Sequence, residues 1–398
     1  MPEISTSSVF HRSLTQSYDS AASGSGVYVQ TKDGKKVLDG CSGATVSCLG
    51  HGHPKIIQAI VDQVQNMAYA HTSLYTSDPA EKLAALLTEQ SDDAFSKVMF
   101  LCSGSEAVES SIKLVRQYHI CNGQPDRINF ISREHSYHRN TLGALAAGYS
   151  PDRRTPFAPL LSPAFHHVSP CFFSRDGKPS GEDEATYVRR LLDELGRKFL
   201  SLGARTVAGM LIEPIIGATI GSLPAAAGYL AGVREICDRH GALLMYDEVM
   251  CGMGRSGTLH AWQSLGLGNV ALDIQAIGKG LGGVHDAIQA GQESHPLVSG
   301  HTYQGHSIGC AAALAAMGSL LQERLRSLTP CLKEVRGRGL FVTVAARAFI
   351  NGAAVYHCAR VVDAILFAPP FIITADEVER LVRIFTTSVL EVVQSRRA

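Results

Sequence analysis

The sequence has no excess charge of either sign: 36 Lys and Arg stand against 36 Asp and Glu. Without a basic surplus there is no electrostatic footprint for nucleic acid or an anionic membrane surface, and neither is expected as a partner. Long apolar runs are also missing. No stretch reaches the roughly eighteen consecutive apolar residues that a membrane-spanning helix needs. The opening residues, MPEISTSSVFHRSL, lack the apolar core of a secretory signal. The ten cysteines are scattered from Cys41 to Cys358 with no Cys-x-x-Cys pair. Cys102 and Cys237 sit inside apolar runs, where a free thiol behaves as a small hydrophobe. A reducing, cytoplasmic location is expected. His51 with His53, and His166 with His167, lack the i, i+4 spacing of a helical zinc pair, so no metal site is expected.

What is present is an ordinary globular composition, 45% hydrophobic and 18% charged over 398 residues, too long for one compact core. The residues to about Ser25 are polar and read as an arm. GVYVQTKDGKKVLDG then alternates apolar and polar residues around Asp33-Gly34, the pattern of a hairpin. From Pro54 the residues Ile56, Ile57, Ile60, Val61 and Val64 recur at helical spacing. A second helix is expected from Asp78, which would cap it, with Pro79 in the first turn and Glu81 completing a capping box.

The middle of the chain repeats one theme, a short apolar run that ends in a polar turn before a helical stretch. KVMFLC leads into Ser103-Gly104-Ser105, RINFIS into a His-rich turn and VAGMLI into Glu213-Pro214. ALLMY leads into Asp247-Glu248, and DIQAI into Gly278-Lys279-Gly280. Buried runs alternating with helices predict an α/β domain around a mostly parallel sheet. Ligands of such sheets gather outside the carboxyl ends of the strands, so these turns converge. Beyond about residue 325 the pattern changes to strands and a closing amphipathic helix. The expected division is an N-terminal arm with part of a small domain over 1–45, a large domain over 46–322 and a C-terminal small domain over 323–398.

Three of the turns carry chemistry. Ser103-Gly104-Ser105 lies between a strand and a helix start, where free N–H groups and the helix dipole seat a phosphate; the other reading is an ordinary capped turn. Asp247 ends an apolar strand, and a buried carboxylate needs a cation, either a protonated pyridine nitrogen or one of the arginines. Lys279 also ends an apolar strand, between two glycines. A lysine there is able to form a Schiff base with an aldehyde, although most lysines are solvated surface charges. Together the three suit a cofactor that carries phosphate, pyridine nitrogen and aldehyde.

The whole chain resembles the class III aminotransferases, pyridoxal-phosphate enzymes of fold type I. The matching stretches are GVYVQTKDGKKVLDGCSGATVSCLGHGHPKI, FLCSGSEAVESSIKLVRQYH, EHSYHRNTLGALAAG, EPIIG, REICDRHGALLMYDEVMCGMGRSG, IGKGLGG, HTYQGH and VRGRGLF, in that order. The resemblance implies an α/β fold, with the mostly parallel sheet in the large domain and a small α/β domain formed by both termini. It implies pyridoxal 5'-phosphate as cofactor, an amino donor and a 2-oxo acid acceptor as substrates, and a homodimer with shared active sites. Carried over by position, Ser103, Gly104 and Ser105 resemble the phosphate seat. Tyr137, beside His138, resembles the aromatic stacked on the cofactor ring, and Val249 the apolar residue on its other face. Glu213 resembles the acid near the ring, Asp247 the partner of the pyridine nitrogen, and Lys279 the Schiff-base lysine and proton shuttle. Thr302 resembles the residue that reaches the phosphate of the neighbouring subunit.

The sequence departs from its relatives at several points. Arg139 follows the Tyr-His pair where glycine is usual. Asn140 stands where members acting on ornithine or 4-aminobutyrate carry arginine, and Met250 where many relatives have glutamine near the ring hydroxyl. After IGKGLGG, the segment VHDAIQAG resembles the helix that normally follows a further strand, so that strand is expected to be missing. Two stretches of the C-terminal part also look shortened. A degenerate or truncated non-catalytic paralogue is therefore the alternative reading, alongside a racemase or decarboxylase using the same lysine and aspartate.

Overall fold

A computed structural model describes residues 7–13, 15, 17–267, 272–281, 286–290, 298–317, 337–338, 341–345, 353–354, 356–357 and 364–395. The chain opens with strands β1 (Ala21–Ser25), β2 (Tyr28–Thr31) and β3 (Lys36–Asp39). β2 and β3 form the expected hairpin, with Gly34 in the turn at φ +88°, a conformation that glycine adopts without strain. Ala21–Ser25 is not part of a loose arm, because it pairs antiparallel with β2. Helices α1 (Pro54–Asn66) and α2 (Asp78–Glu89) follow. The N-cap of α2 is Ser77 rather than Asp78. Asp78 instead lies in the first turn, where its charge complements the dipole, and Glu81 accepts the Thr76 hydroxyl.

The main body contains β4 (Lys97–Leu101), α3 (Gly104–Cys121), β5 (Asn129–Arg133), β6 (Phe165–Val168), α4 (Glu184–Leu202) and β7 (Val207–Ile212). It continues with α5 (Tyr229–His240), β8 (Leu243–Asp247), β9 (Ile274–Ile277), β10 (Asp286–Ala290) and α6 (Ser307–Met317). Seven strands form one sheet in the order β4-β10-β9-β8-β7-β5-β6. All run parallel except β10, which is antiparallel to both its neighbours. Every residue of β7 is buried, as its unbroken apolar run requires of a strand covered on both faces. α4 lays Tyr187, Leu191, Leu195 and Phe199 at helical spacing into the core against Val233 of α5, Ile212 and Tyr246. Asp183 caps α4 by accepting the Thr186 N–H at 2.7 Å.

β10 corrects the sequence reading of VHDAIQAG. Residues 286–290 are not a helix beyond a lost strand but the strand itself, paired in register from Asp286↔Leu101 to Ala290↔Lys97 on one side and from Ile274↔Ala290 to Ile277↔Ala287 on the other. Without it β9 and β4 would each present an unpaired backbone edge inside the sheet, which is far costlier than extending five residues between them.

The C-terminal part holds β11 (Gly337–Arg338), β12 (Phe341–Ala345), β13 (Ala353–Ala354), β14 (Tyr356–His357), β15 (Ala364–Phe367) and α7 (Ala375–Ser395). β11, β12, β15 and β14 make one sheet, while β13 joins β3 in parallel, so segments from both ends of the chain share a sheet. The stretches that look shortened in sequence fall largely outside the described residues. Among the described residues, no helix is long and apolar enough to cross a membrane. Cys237 is buried, but Cys102 is exposed because it lies past the end of β4.

Candidate active site

Four of the strand ends named above meet at one place. β4 runs into Ser103, which caps α3 by accepting the Glu106 N–H at 3.2 Å, while Glu106 accepts the Cys102 N–H at 2.8 Å. The turn is thus a properly capped helix start, and it also presents the small buried Gly104 and the half-buried Ser105 to the sheet end. The Ser105 hydroxyl accepts the Asn140 N–H at 3.3 Å, tying this turn to the one after β5.

The turn after β5 is tightly held. His135 and Arg139 both adopt positive φ, +56° and +92°. The Ser136 hydroxyl donates to the Arg133 carbonyl at 2.7 Å, and Thr219 donates to the His135 carbonyl. Glu213, just after β7, accepts the Tyr137 N–H at 2.9 Å and the Gly217 N–H at 3.2 Å. Glu213 therefore positions the Tyr-His turn against the next strand end. Tyr137 packs on the cluster that includes Met250, and the Arg153 guanidinium lies 4.3 Å from the centre of its ring.

Asp247 ends β8 and is buried. Its Oδ2 lies 3.0 Å from His138 Nδ1, and its Oδ1 accepts the Val249 N–H at 3.2 Å and an Arg139 Nη2–H at 3.0 Å. Burial pushes its pKa up, but the Arg139 charge and the His138 hydrogen bond outweigh it, leaving the carboxyl below its ordinary value. Glu213 goes the other way. Burial raises it and the charge of Asp247 adds to the rise, against His138 and two backbone N–H groups. Two neighbouring carboxyls are thus pushed in opposite directions, Asp247 down and Glu213 up, a divergence common where carboxyls do chemistry. Glu248 is a third, separate case. It points away to accept the N–H groups of Ala261 and Trp262 at 2.6 and 3.0 Å, and burial pushes it up to about 8.

Lys279 follows β9, three residues beyond Ala276, which pairs with Asp247 across the two strands. Its φ is +44°, and its ammonium donates to the Ala44 carbonyl at 2.7 Å. Ala44 belongs to a strained loop in which Ser42 and Thr45 also have positive φ. Thr302 is exposed, and its carbonyl accepts the Tyr69 hydroxyl at 2.8 Å.

The contacts join Gly104, Ser105, Tyr137, His138, Glu213, Asp247, Val249 and Met250 into one constellation, with Lys279 on the adjoining strand end. The sequence points to all of these and sets Arg139 beside the Tyr-His turn, but it shows neither the bond from Arg139 to Asp247 nor the Ala44 loop. The signal for Arg139 was its standing where glycine is usual. The constellation fits a phosphorylated pyridine aldehyde: a capped helix start for phosphate, an aromatic ring, a buried carboxylate for a ring nitrogen, and a lysine. The His138 Nε2 is buried and has no hydrogen-bond partner among the described residues, which leaves polar capacity in the same place.

Comparison with known proteins agrees. The family described as aminotransferase class-III matches residues 12–389. An uncharacterized aminotransferase of Schizosaccharomyces pombe is 35% identical over 92% of this chain and 92% of its own. An aminotransferase of Gibberella zeae is 40% identical over 78% of this chain and 66% of its own. Among solved structures, the omega transaminase of Pseudomonas jessenii in complex with PMP superposes with a TM-score of 0.86 at 26% identity, covering 95% of this chain and 93% of that one. The chain belongs to the class-III aminotransferase family and is, by that membership, a pyridoxal-phosphate-dependent aminotransferase of fold type I.

Proposed function

We propose that the chain moves an amino group from an amine or amino-acid donor to a 2-oxo acid, with Lys279 and Asp247 in the two central roles. The single observation that supports this most is the buried Asp247 at a strand end, one strand from Lys279. Ser103, Gly104 and Ser105 would seat the phosphate on the N–H groups of α3. Tyr137 and Val249 would hold the ring between them, and His138 and Met250 would line the same place. Asp247 would be the partner of the ring nitrogen and would favour its protonated form, and Glu213 fixes the turn that carries Tyr137. Bound pyridoxal phosphate supplies the electron sink that weakens the donor's C–H bond. Lys279 Nζ is the base that takes the proton from the donor carbon and later returns one. The continuous sheet through β10 favours this reading over a degenerate paralogue, since the strand beside the catalytic lysine is in place.

A homodimer belongs to the same reading. Ile57, Val61 and Val64 line one face of α1 and are exposed, as are Leu74 and Tyr75, an apolar surface suited to a second copy. Exposed Thr302 is then available to the phosphate of the neighbouring subunit. A cytoplasmic location accords with the free thiols among the described cysteines.

The test is a visible absorption spectrum of the purified protein with pyridoxal phosphate, beside Lys279→Ala. A cofactor band in the parent that the variant lacks is expected, and amino-donor-dependent formation of an amino acid from a 2-oxo acid should vanish with it. A band that survives in Lys279→Ala overturns the assignment of the lysine. Light scattering should give a dimer for the parent and smaller species for Val61→Glu.

A further inference from the structure

Arg139 holds φ +92°, in the left-handed region where a residue with a Cβ is strained and glycine is not. Such strain persists only where the surroundings over-determine it, and here the side chain supplies the contacts. The side chain is 8% exposed, and its guanidinium gives Asp247 Oδ1 a hydrogen bond of 3.0 Å. It lies 5.3 Å from the centre of the Tyr137 ring. Its Nε comes within 2.8 Å of the point that a Cβ on Gly104 would occupy, and Val249 Cγ1 lies 3.0 Å from the same point. Helix start, aromatic ring, valine and carboxylate are the four landmarks assigned above to the cofactor. A planar cation that donates to the carboxylate beside an aromatic ring presents the chemistry of a protonated pyridine.

We propose that Arg139 is an affinity-setting residue of the cofactor site: its guanidinium competes with the pyridine ring for Asp247, and the ring binds by displacing it. The inference rests on the reading of Asp247 as the partner of the ring nitrogen. Guanidinium and ring have one carboxylate oxygen and one gap between Tyr137, Val249 and Gly104 to share, so the two states exclude each other. Only the fraction of molecules with Arg139 withdrawn admits the ring, and the apparent dissociation constant rises by the inverse of that fraction. Arg139 takes no part in proton transfer. It sets how much cofactor is needed and how fast it binds.

The experiment compares pyridoxal-phosphate binding by the full-length parent, Arg139→Gly and Arg139→Gln, read from the visible cofactor band and from quenching of protein fluorescence, with Lys279→Ala as the control. Glycine removes both the cation and the strained φ, while glutamine keeps most of the length without the charge. Circular dichroism checks that each variant is folded. Arg139→Gly is expected to bind at least about tenfold more tightly, equivalent to about 1.4 kcal/mol, with Arg139→Gln between it and the parent. In stopped flow the observed rate should level off with rising cofactor in the parent and stay linear in the glycine variant. Equal affinity in all three overturns the competition while leaving the cofactor site standing. Weaker binding by both variants overturns it too, and would make Arg139 a ligand of the cofactor. If neither parent nor variants show a Lys279-dependent band, the cofactor assignment itself fails and this inference falls with it.

Discussion

Replacing Asp247 with asparagine tests the electrostatic core of the site directly. The side chain is 1% exposed and that of its partner Arg139 is 8% exposed, so neither charge is solvated when the other is removed. Asparagine keeps the shape and still accepts the Val249 N–H. The histidine side can adjust, because His138 is able to switch tautomer and accept from the new amide. The guanidinium cannot, and it exchanges a charged acceptor for a neutral one in a buried place. Breaking a buried ion pair by removing one partner costs about 3–5 kcal/mol, and with part of the hydrogen bonding retained the low end, about 3 kcal/mol, is expected. In an Arg139→Gly background the stranded cation is gone, and the same substitution should cost no more than about 1 kcal/mol, leaving a coupling of about 2 kcal/mol. Urea unfolding of the four proteins in cofactor-free buffer measures the cycle. The pH dependence carries the same sign. Asp247 lies below its ordinary 3.8 in the fold, so its stabilisation is present above that value and lost as pH falls through the lower folded pKa, and the asparagine variants should lack this loss. Effects that add to within about 0.5 kcal/mol would refute the reasoning, because the two side chains would then not be interacting.

Three further outcomes follow from the geometry. Glu248 is pushed up to about 8 from an ordinary 4.5, so the fold holds a proton that the unfolded chain releases, and stability falls as pH rises between those values. Glu248→Gln removes that slope, and its melting temperature should rise relative to the parent across this window; a constant offset would show the carboxyl is not protonated in the fold. Gly50 sits at φ +74°, and a Cβ there would come within 2.5 Å of the Gly26 carbonyl oxygen, which itself accepts the His51 N–H. Gly50→Ala should therefore cost about 2 kcal/mol or more, strain alone accounting for about 1–3, and an unchanged urea midpoint would contradict it. Glu213→Gln turns an amide N–H toward one of the two N–H groups the carboxylate accepts, at Tyr137 or Gly217. A loss of about 1–3 kcal/mol is expected, together with weaker cofactor binding as the Tyr137 turn loosens.

The strands of the large sheet were legible because strands buried on both faces must be continuous apolar runs, and each run here ends in a polar residue that the rules of parallel sheets send to one edge. Ser103, Asp247 and Lys279 could be placed on that ground alone, and the order of the motifs along the chain pointed to the family. Other features depend on distant segments meeting. Residues 286–290 carry neither an apolar run nor a clear period, and they are a strand because β4 and β9 offer open edges on both sides. Lys279 finds its acceptor 235 residues away at Ala44. The sequence leaves open whether Asp247 holds a pyridine nitrogen or an arginine. Only the fold, bringing Asp247 to Arg139 across 108 residues of sequence, shows that the chain carries its own contender for that carboxylate. Local pattern reports which face of an element is buried, whereas the partner of a buried charge is chosen by whatever the tertiary packing sets within hydrogen-bond reach.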